Sequence, residues 1–371
     1  MAPSAISYSS SLEDIAVTET SPFKSSHRSK LCWEGSDFTD ENAYVLHVTE
    51  NHKREVRSAL HDFLDCGLDG DKVNPENFPL PTLGPLLREL AVELHEGKGF
   101  FVIRGLNTRL YSDEDSLIVF LGISSYIGNL RGKQIDDGSM LGHIHDPTSL
   151  SCTQSERPIK YSNRYAEFHN DLGCDILAMK TYSLAKVGGN QLYASVMKIY
   201  DHIATTRPDL ADELLAPDWT YNIQRRWTDT EKRAVLFKHE GHILSTMFYD
   251  ALVNPPDGEE LPSLTPKQRE AIEYFQTVAS HYQLSMQNEP GDLTFVNNWA
   301  VVHAREAFED GPDQRRYLLR LWLRNERLGW KLPKPLQIDN HMVFYDDSIP
   351  EKWNIDIADH IKFMAYERQI P

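Results

Sequence analysis

The chain reads as an α+β protein built around a β-sandwich or jelly roll. Short apolar or alternating stretches of strand length recur between residues 99 and 323. Helix-period segments gather at the front and in one central stretch. No internal repeat and no linker divides the sequence, so helices and strands should share one body.

Taken in order, residues 1–40 are rich in Ser, Thr and charge and read as a flexible or loosely docked arm. The rest, 41–371, is expected to be a single domain. Helices are predicted over 50–67 and 84–97; in the second, Leu86, Leu87, Leu90, Val92 and Leu94 make a broad apolar face. The apolar run Phe100–Arg104, bounded by Gly99 and Gly105, suits a buried strand. A further helix is predicted over 113–127, and 138–160 mixes a strand with polar loop.

Residues 175–184 and 191–195 read as two strands joined through the turn Gly188-Gly189-Asn190. A helical insertion occupies roughly 196–282, with one helix over 196–215 and short strands near 219–225, 233–239 and 242–248. Its last helix is well marked. Thr265 can cap it, Pro266 suits its first position, and Ala271, Ile272, Phe275, Val278 and Ala279 share one face. After Pro290-Gly291 come two more strands, 293–298 and 317–323.

Bulk composition excludes several function classes. The net charge is −17 over 371 residues, which argues against a general nucleic-acid binder and against anionic membranes. No apolar run is long enough to span a bilayer. Cys32, Cys66, Cys152 and Cys174 are scattered, as in a reduced compartment, and no secretory pattern opens the chain. The expectation is a cytoplasmic protein acting on a small molecule, with homodimerisation left open.

The chemistry-bearing motif is Phe168-His169-Asn170-Asp171. Alternate residues of a strand share a face, so His169 and Asp171 can bind one ion. Among 15 histidines, His169 alone has an acidic residue two positions on. A distant His303 can supply a third ligand, and two histidines with one carboxylate suit an oxygen-activating Fe(II) site. Other motifs carry less. His143-Ile144-His145-Asp146 lacks a matching third ligand and reads as a solvated strand end. His239-Glu240-Gly241-His242 is one residue short of a zinc-protease helix, and its glycine suggests a hairpin turn. Tyr161, Asn163 and Phe168, with Asn298 and Trp299 from the other side, are candidates to line a substrate site. Cys174 reads as a small buried residue.

The surroundings of these residues are distinctive. Gly291–Arg305 followed by Arg316–Arg324 resembles the C-terminal signature of the TauD/TfdA-like family, the Fe(II)- and 2-oxoglutarate-dependent dioxygenases related to taurine dioxygenase. Phe168–Asp171, Asp175-Ile176, Gly188-Gly189 and 99–105 look like that family too, so the resemblance covers roughly residues 80–330. It implies a double-stranded β-helix (jelly-roll, cupin-like) core with flanking helices.

The resemblance also implies His169, Asp171 and His303 as catalytic iron ligands, with Fe(II), 2-oxoglutarate and O2 as the reacting set. Arg316 would grip the far carboxylate of 2-oxoglutarate through its planar guanidinium. Arg320, four residues on, would line the pocket and could meet an anionic group of the substrate. Arg315, Arg324 and Arg327 read as structural ion-pair formers. Asp171 disfavours halogenation, which needs that position free of a carboxylate. One departure is Gln191, where the family often has Thr; its longer amide implies a pocket of different shape. The implied reaction is oxidation of an unactivated C–H bond of a small organic molecule, with release of succinate and CO2. Hydroxylation is the default; desaturation or cyclisation stays open. Rival readings are a non-catalytic metal- or ligand-binding protein of the same fold, or a zinc hydrolase. Paired arginines after His303 and no catalytic Glu near His169 argue against the hydrolase.

Overall fold

The computed structural model describes residues 29–106, 111–134, 137–147, 152–221, 232–253 and 264–355. The helices are α1 (Glu50–Asp65), α2 (Leu83–Glu96), α3 (Asp113–Ser124), α4 (Val196–Thr206), α5 (Pro208–Leu215), α6 (Tyr249–Val253), α7 (Pro266–Tyr282) and α8 (Lys334–Phe344). The first strands are β1 (Val45–His47), β2 (Phe100–Arg104), β3 (Leu130–Gly132), β4 (Leu141–His145), β5 (Ala166–His169), β6 (Ile176–Ser183), β7 (Val187–Gly188) and β8 (Gln191–Ser195). They are followed by β9 (Leu236–His239), β10 (His242–Ser245), β11 (Leu284–Met286), β12 (Leu293–Asn297), β13 (Val301–Arg305), β14 (Phe308–Glu309) and β15 (Tyr317–Arg324).

Two sheets carry the fold. The larger runs β1-β2-β12-β6-β15, and the long β15 then pairs β4 with its first half and β3 with its second. The smaller runs β11-β8-β13-β5. Strand alternation explains why nearly every position is apolar. In β15, Leu319, Leu321 and Leu323 join a cluster with α1, α2 and α3, while Leu318 and Trp322 point to the other face. There they meet Tyr193 and Val301 of the smaller sheet, so the sheets face each other as a sandwich. The outer face of the smaller sheet (Leu192, Ala194, Val302) is covered by α4, α5 and α7. The order is helices, sheet, sheet, helices. Each fully buried large side chain in it contributes roughly 1.5–3 kcal/mol.

Local sequence explains the helix ends. Thr49, Ser112, Ser195 and Thr265 each accept a hydrogen bond from a backbone N–H of the first turn, and Thr265 with Gln268 forms a reciprocal capping box. The helix expected over 196–215 is two helices. Pro208 lacks an N–H and would clash with the carbonyl four residues back, so it starts α5 instead of continuing α4.

Other departures have similar causes. The strands around Gly188-Gly189 do not form a hairpin pair: β6 lies in the larger sheet and β8 in the smaller, and the turn carries the chain between them. The 219–225 stretch falls largely on 222–231, outside the described residues; Trp219 forms an isolated bridge with Arg233. The expected arm divides. Residues 1–28 lie outside the described residues, but 29–40 are firmly docked: Leu31 and Trp33 are buried, and Trp33 Nε1 donates to the Lys98 carbonyl at 2.7 Å. His239-Glu240-Gly241-His242 is indeed a hairpin turn between β9 and β10, with Glu240 at φ 45° and Gly241 at φ 82°. Among the described residues, no helix is long and apolar enough to cross a membrane.

Candidate metal centre

Sheet register builds the first half of the site. His303 in β13 sits directly opposite His169 at the end of β5, and opposite Tyr193 of β8 on its other side. The two imidazole centroids lie 4.2 Å apart. His169, Asp171 and His303 each offer a ligand atom, all within 4.8 Å of one another.

Asp171 reaches this cluster by a different route from the one expected. β5 ends at His169, so strand alternation does not aim Asp171. Its neighbours do. Asn298 Oδ1 accepts from the Asp171 backbone N–H at 2.9 Å, and Asn298 Nδ2 donates to the Asp171 and Cys174 carbonyls at 2.6 and 2.8 Å. Trp322 Nε1 donates to Asp171 Oδ2 at 2.8 Å, and Arg320 Nη1 lies 2.9 Å from the same oxygen. Arg320 and Trp322 are alternate residues of β15 and so share the face that meets Asp171.

Charge states follow. Burial would push the Asp171 carboxyl up, but Arg320, His303, His169 and the Trp322 hydrogen bond outweigh it and hold it at about 2. Burial, reinforced by His169, pushes His303 down to about 3, so it is neutral. His169 Nδ1 is 2.7 Å from the Glu167 carbonyl and donates to it, which leaves Nε2 as the nitrogen it can offer the cluster. His303 Nδ1 is buried and has no hydrogen-bond partner among the described residues. Two imidazoles and an ionised carboxylate on a rigid frame fit one divalent iron.

The second half of the site is cationic. Arg316, just before β15, is buried, and its Nε donates to the Gly189 carbonyl at 3.2 Å. Its Nη1 is buried with no partner, and it forms no ion pair among the described residues. Burial, then repulsion from Arg305, lowers it to about 9. The double glycine exists for this packing. Gly189 has φ 80°, and a Cβ there would stand 3.0 Å from Arg316 Cδ and 3.2 Å from Phe308 Cβ. Arg316, Gly189, Gln191 and Leu318 line a cavity of about 190 Å³. The Tyr193 hydroxyl donates to Gln191 Oε1, so the amide N–H groups are what that position offers the cavity.

The family model described as Taurine catabolism dioxygenase TauD, TfdA family matches residues 66–322. The chain belongs to this family. The TauD-family chain is 35% identical over 335 residues to the taurine hydroxylase-like protein SAT17 of Stachybotrys chartarum, covering 87% of this chain and 86% of that one. It is 25% identical over 316 residues to the FR-33289 synthase of Streptomyces rubellomurinus, covering 82% and 91%. Among solved structures it resembles an asparagine oxygenase in complex with Fe(II), 3-hydroxyasparagine and succinate. There the TM-score is 0.60 at 15% identity, over 76% of this chain and 93% of that one. It also resembles the non-haem iron oxygenase OrfP in complex with Fe and α-ketoglutaric acid, with a TM-score of 0.56 at 17% identity, over 76% and 94%. By family membership the chain is a 2-oxoglutarate-dependent non-haem iron dioxygenase, using Fe(II), 2-oxoglutarate and O2.

Several candidate residues sit elsewhere than expected. Phe168 is fully buried in the helix-covered cluster behind the smaller sheet, on the opposite face from His169. Asn298 is fully buried against the Asp171 turn, and Trp299 Nε1 donates to Asp175 Oδ1 at 2.8 Å; neither side chain is left to line a pocket. Arg320 is paired with Asp171, and its Nε donates to Gln134 Oε1 at 2.7 Å. Tyr161 is buried with its ring 5.8 Å from His145. Asn163 is half-buried, its carbonyl accepting from the Phe308 N–H at 3.0 Å. Arg324 pairs with Asp175 as expected, whereas Arg327 forms no ion pair among the described residues. Cys174 is buried. Trp322, Gln134, Tyr193 and Arg305 were missed. Trp322 had a usable signal in its two-residue spacing from Arg320; the others become visible only once strands are paired.

Proposed function

We propose that the chain oxidises an unactivated C–H bond of a small organic molecule, with hydroxylation as the default outcome, on a double-stranded β-helix frame. The observation that carries this is the His169, Asp171 and His303 cluster, whose three ligand atoms all lie within 4.8 Å of one another. In this reading those three residues hold Fe(II), and the Arg316 guanidinium holds the far carboxylate of 2-oxoglutarate, with the Gln191 amide beside it. The bound set supplies oxidative decarboxylation to succinate and CO2, coupled to C–H oxidation.

The rest is done by the chain. Trp322 and Arg320 hold the carboxylate of Asp171 by both oxygens, so it is oriented before any ligand arrives. Glu167, through its carbonyl, fixes the His169 tautomer. Arg316 offers a charge-assisted hydrogen bond in a water-poor site, where it is strong. Apolar Leu318, which lines the same cavity, limits water around the chelated cosubstrate.

The test is anaerobic titration of 2-oxoglutarate into the Fe(II)-loaded protein, watching for the visible charge-transfer band of an iron-bound keto acid. The band should form in the natural protein, vanish in His169→Ala, and need at least about tenfold more cosubstrate in Arg316→Ala, as loss of a charged hydrogen bond implies. A normal band in His169→Ala would overturn the ligand set; an unchanged requirement in Arg316→Ala would move the anchor elsewhere.

A further inference from the structure

Arg305 lies two residues past His303, is buried, and forms no ion pair among the described residues. A buried guanidinium without a carboxylate is costly, so its hydrogen bonds have to hold it. They all go to one segment. Nη2 donates to the Ser162 carbonyl at 2.9 Å and to the Arg164 carbonyl, and Nη1 to the Ile159 carbonyl at 3.4 Å. The Phe308 N–H takes the Asn163 carbonyl of the same segment at 3.0 Å. Residues 305–308 therefore receive four carbonyls from 159–164, the stretch that leads into β5 and His169.

Phe308 also faces the other way. Its ring centre lies 5.0 Å from the Arg305 guanidinium carbon and 5.5 Å from that of Arg316. Two buried cations thus share one aromatic ring, each within cation–π distance of it and each repelling the other. The pair is next to the Gly188-Gly189 turn, since Phe308 in β14 is paired with Gly188 in β7. An anion at Arg316 would relieve the repulsion felt at Arg305.

We propose that Arg305 is a positioning residue that couples the cosubstrate end of the site to the 159–164 segment through the Phe308 ring it shares with Arg316. This rests on Arg316 being the 2-oxoglutarate anchor. Occupation of Arg316 by a carboxylate tightens Arg305 onto its three carbonyls and so orders 159–164, which carries Tyr161 and Asn163 next to the ligand strand. By linkage, a primary substrate that contacts 159–164 raises the affinity for 2-oxoglutarate by the same factor.

Hydrogen exchange of peptides spanning 159–164 tests this, in anaerobic Fe(II)-loaded protein with and without 2-oxoglutarate. In the natural protein 2-oxoglutarate should slow exchange there by about tenfold, as expected when local opening is opposed by a charged hydrogen bond. Arg305→Met keeps the aliphatic length and removes the donors. It should exchange fast in both states while still giving the visible band, so that binding and ordering come apart. Phe308→Leu keeps the Arg305 contacts; its 159–164 segment should stay slow but no longer respond to 2-oxoglutarate. Cosubstrate-dependent protection of normal size in either variant would overturn the coupling. So would a natural protein that forms the band with no change at 159–164. A natural protein with no band at all would instead sink the anchor assignment, and the coupling with it.

Discussion

Two histidine pairs in this molecule look alike in sequence and behave oppositely in the structure. His169 with His303, joined by Asp171, converges on one point. His143 and His145, on β4, do not, although they too are alternate residues followed by a carboxylate. The difference lies in how many ligand atoms each group keeps: beside His145, whose Nε2 has no partner among the described residues, His143 and Asp146 are already spent. His143 uses both nitrogens, accepting from the Tyr317 hydroxyl at 2.8 Å and donating to the Asn354 carbonyl at 2.8 Å. Asp146 next to them is held by Arg157 and by Gln154, at 2.7 Å for the latter. The pair is buried, against the expectation of a solvated strand end, because β4 pairs with β15 and Tyr317 stacks over His143. His169 spends one nitrogen only and keeps the other. On the proposed reading, a metal centre is marked by nitrogens left over after the local hydrogen bonds are counted, more than by histidine spacing.

The largest effect should come from testing that contrast directly. Asp171→Ala should abolish iron retention and turnover, by more than the roughly 10–100-fold loss typical of residues behind a ligand. His143→Phe keeps a ring against Tyr317 and should leave iron per folded protein unchanged. Iron content of both purified variants, with turnover read as succinate release, decides the matter. Equal iron loss in the two would erase the distinction drawn between the pairs.

A smaller effect separates holding a ligand from touching a substrate. Asn298 was expected to line the pocket, but it fastens both sides of the Asp171 peptide. Asn298→Ala should lower kcat by about 10- to 100-fold and loosen iron to a similar degree, with the substrate KM little changed. A rise in KM alone, with iron affinity intact, would restore the substrate role.

Much of this was legible from residue order. The strand Phe100–Arg104, the capped helix from Pro266 and the three convergent side chains all follow from local pattern or motif. What stayed hidden depends on pairing across long stretches of chain. Arg320 could not be known to face Asp171 until β15 was set against β6, and only then does the two-residue spacing bring Trp322 to the same carboxylate. Phe168 misled for a simpler reason: adjacency to His169 puts it on the opposite face of the strand. Arg305 reads as one more basic residue after a histidine, and its three carbonyl partners are in reach only because 159–164 folds back beside β13.

The smallest effect expected concerns His145, and it is confined to a window of pH. Burial, then repulsion from His143, pushes its imidazole down to about 4, and its buried Nε2 has no hydrogen-bond partner among the described residues to hold a proton. Unfolded, the same ring titrates near ~6.5. As pH falls below that value the unfolded chain takes up a proton that the folded chain refuses. The folded state therefore loses stability between about 6.5 and about 4, with a ceiling near ~3 kcal/mol, and no further loss from this group occurs below. His145→Phe removes the proton site and keeps a ring against Tyr161 and Tyr317. Denaturant midpoints of the metal-free protein measured across that window should fall less steeply in the variant, while His303, which is pushed down in the same sense, keeps part of the slope in both. Parallel curves would mean that the ring takes up its proton in the folded state as readily as in the unfolded chain, and that burial at this position does not hold it neutral.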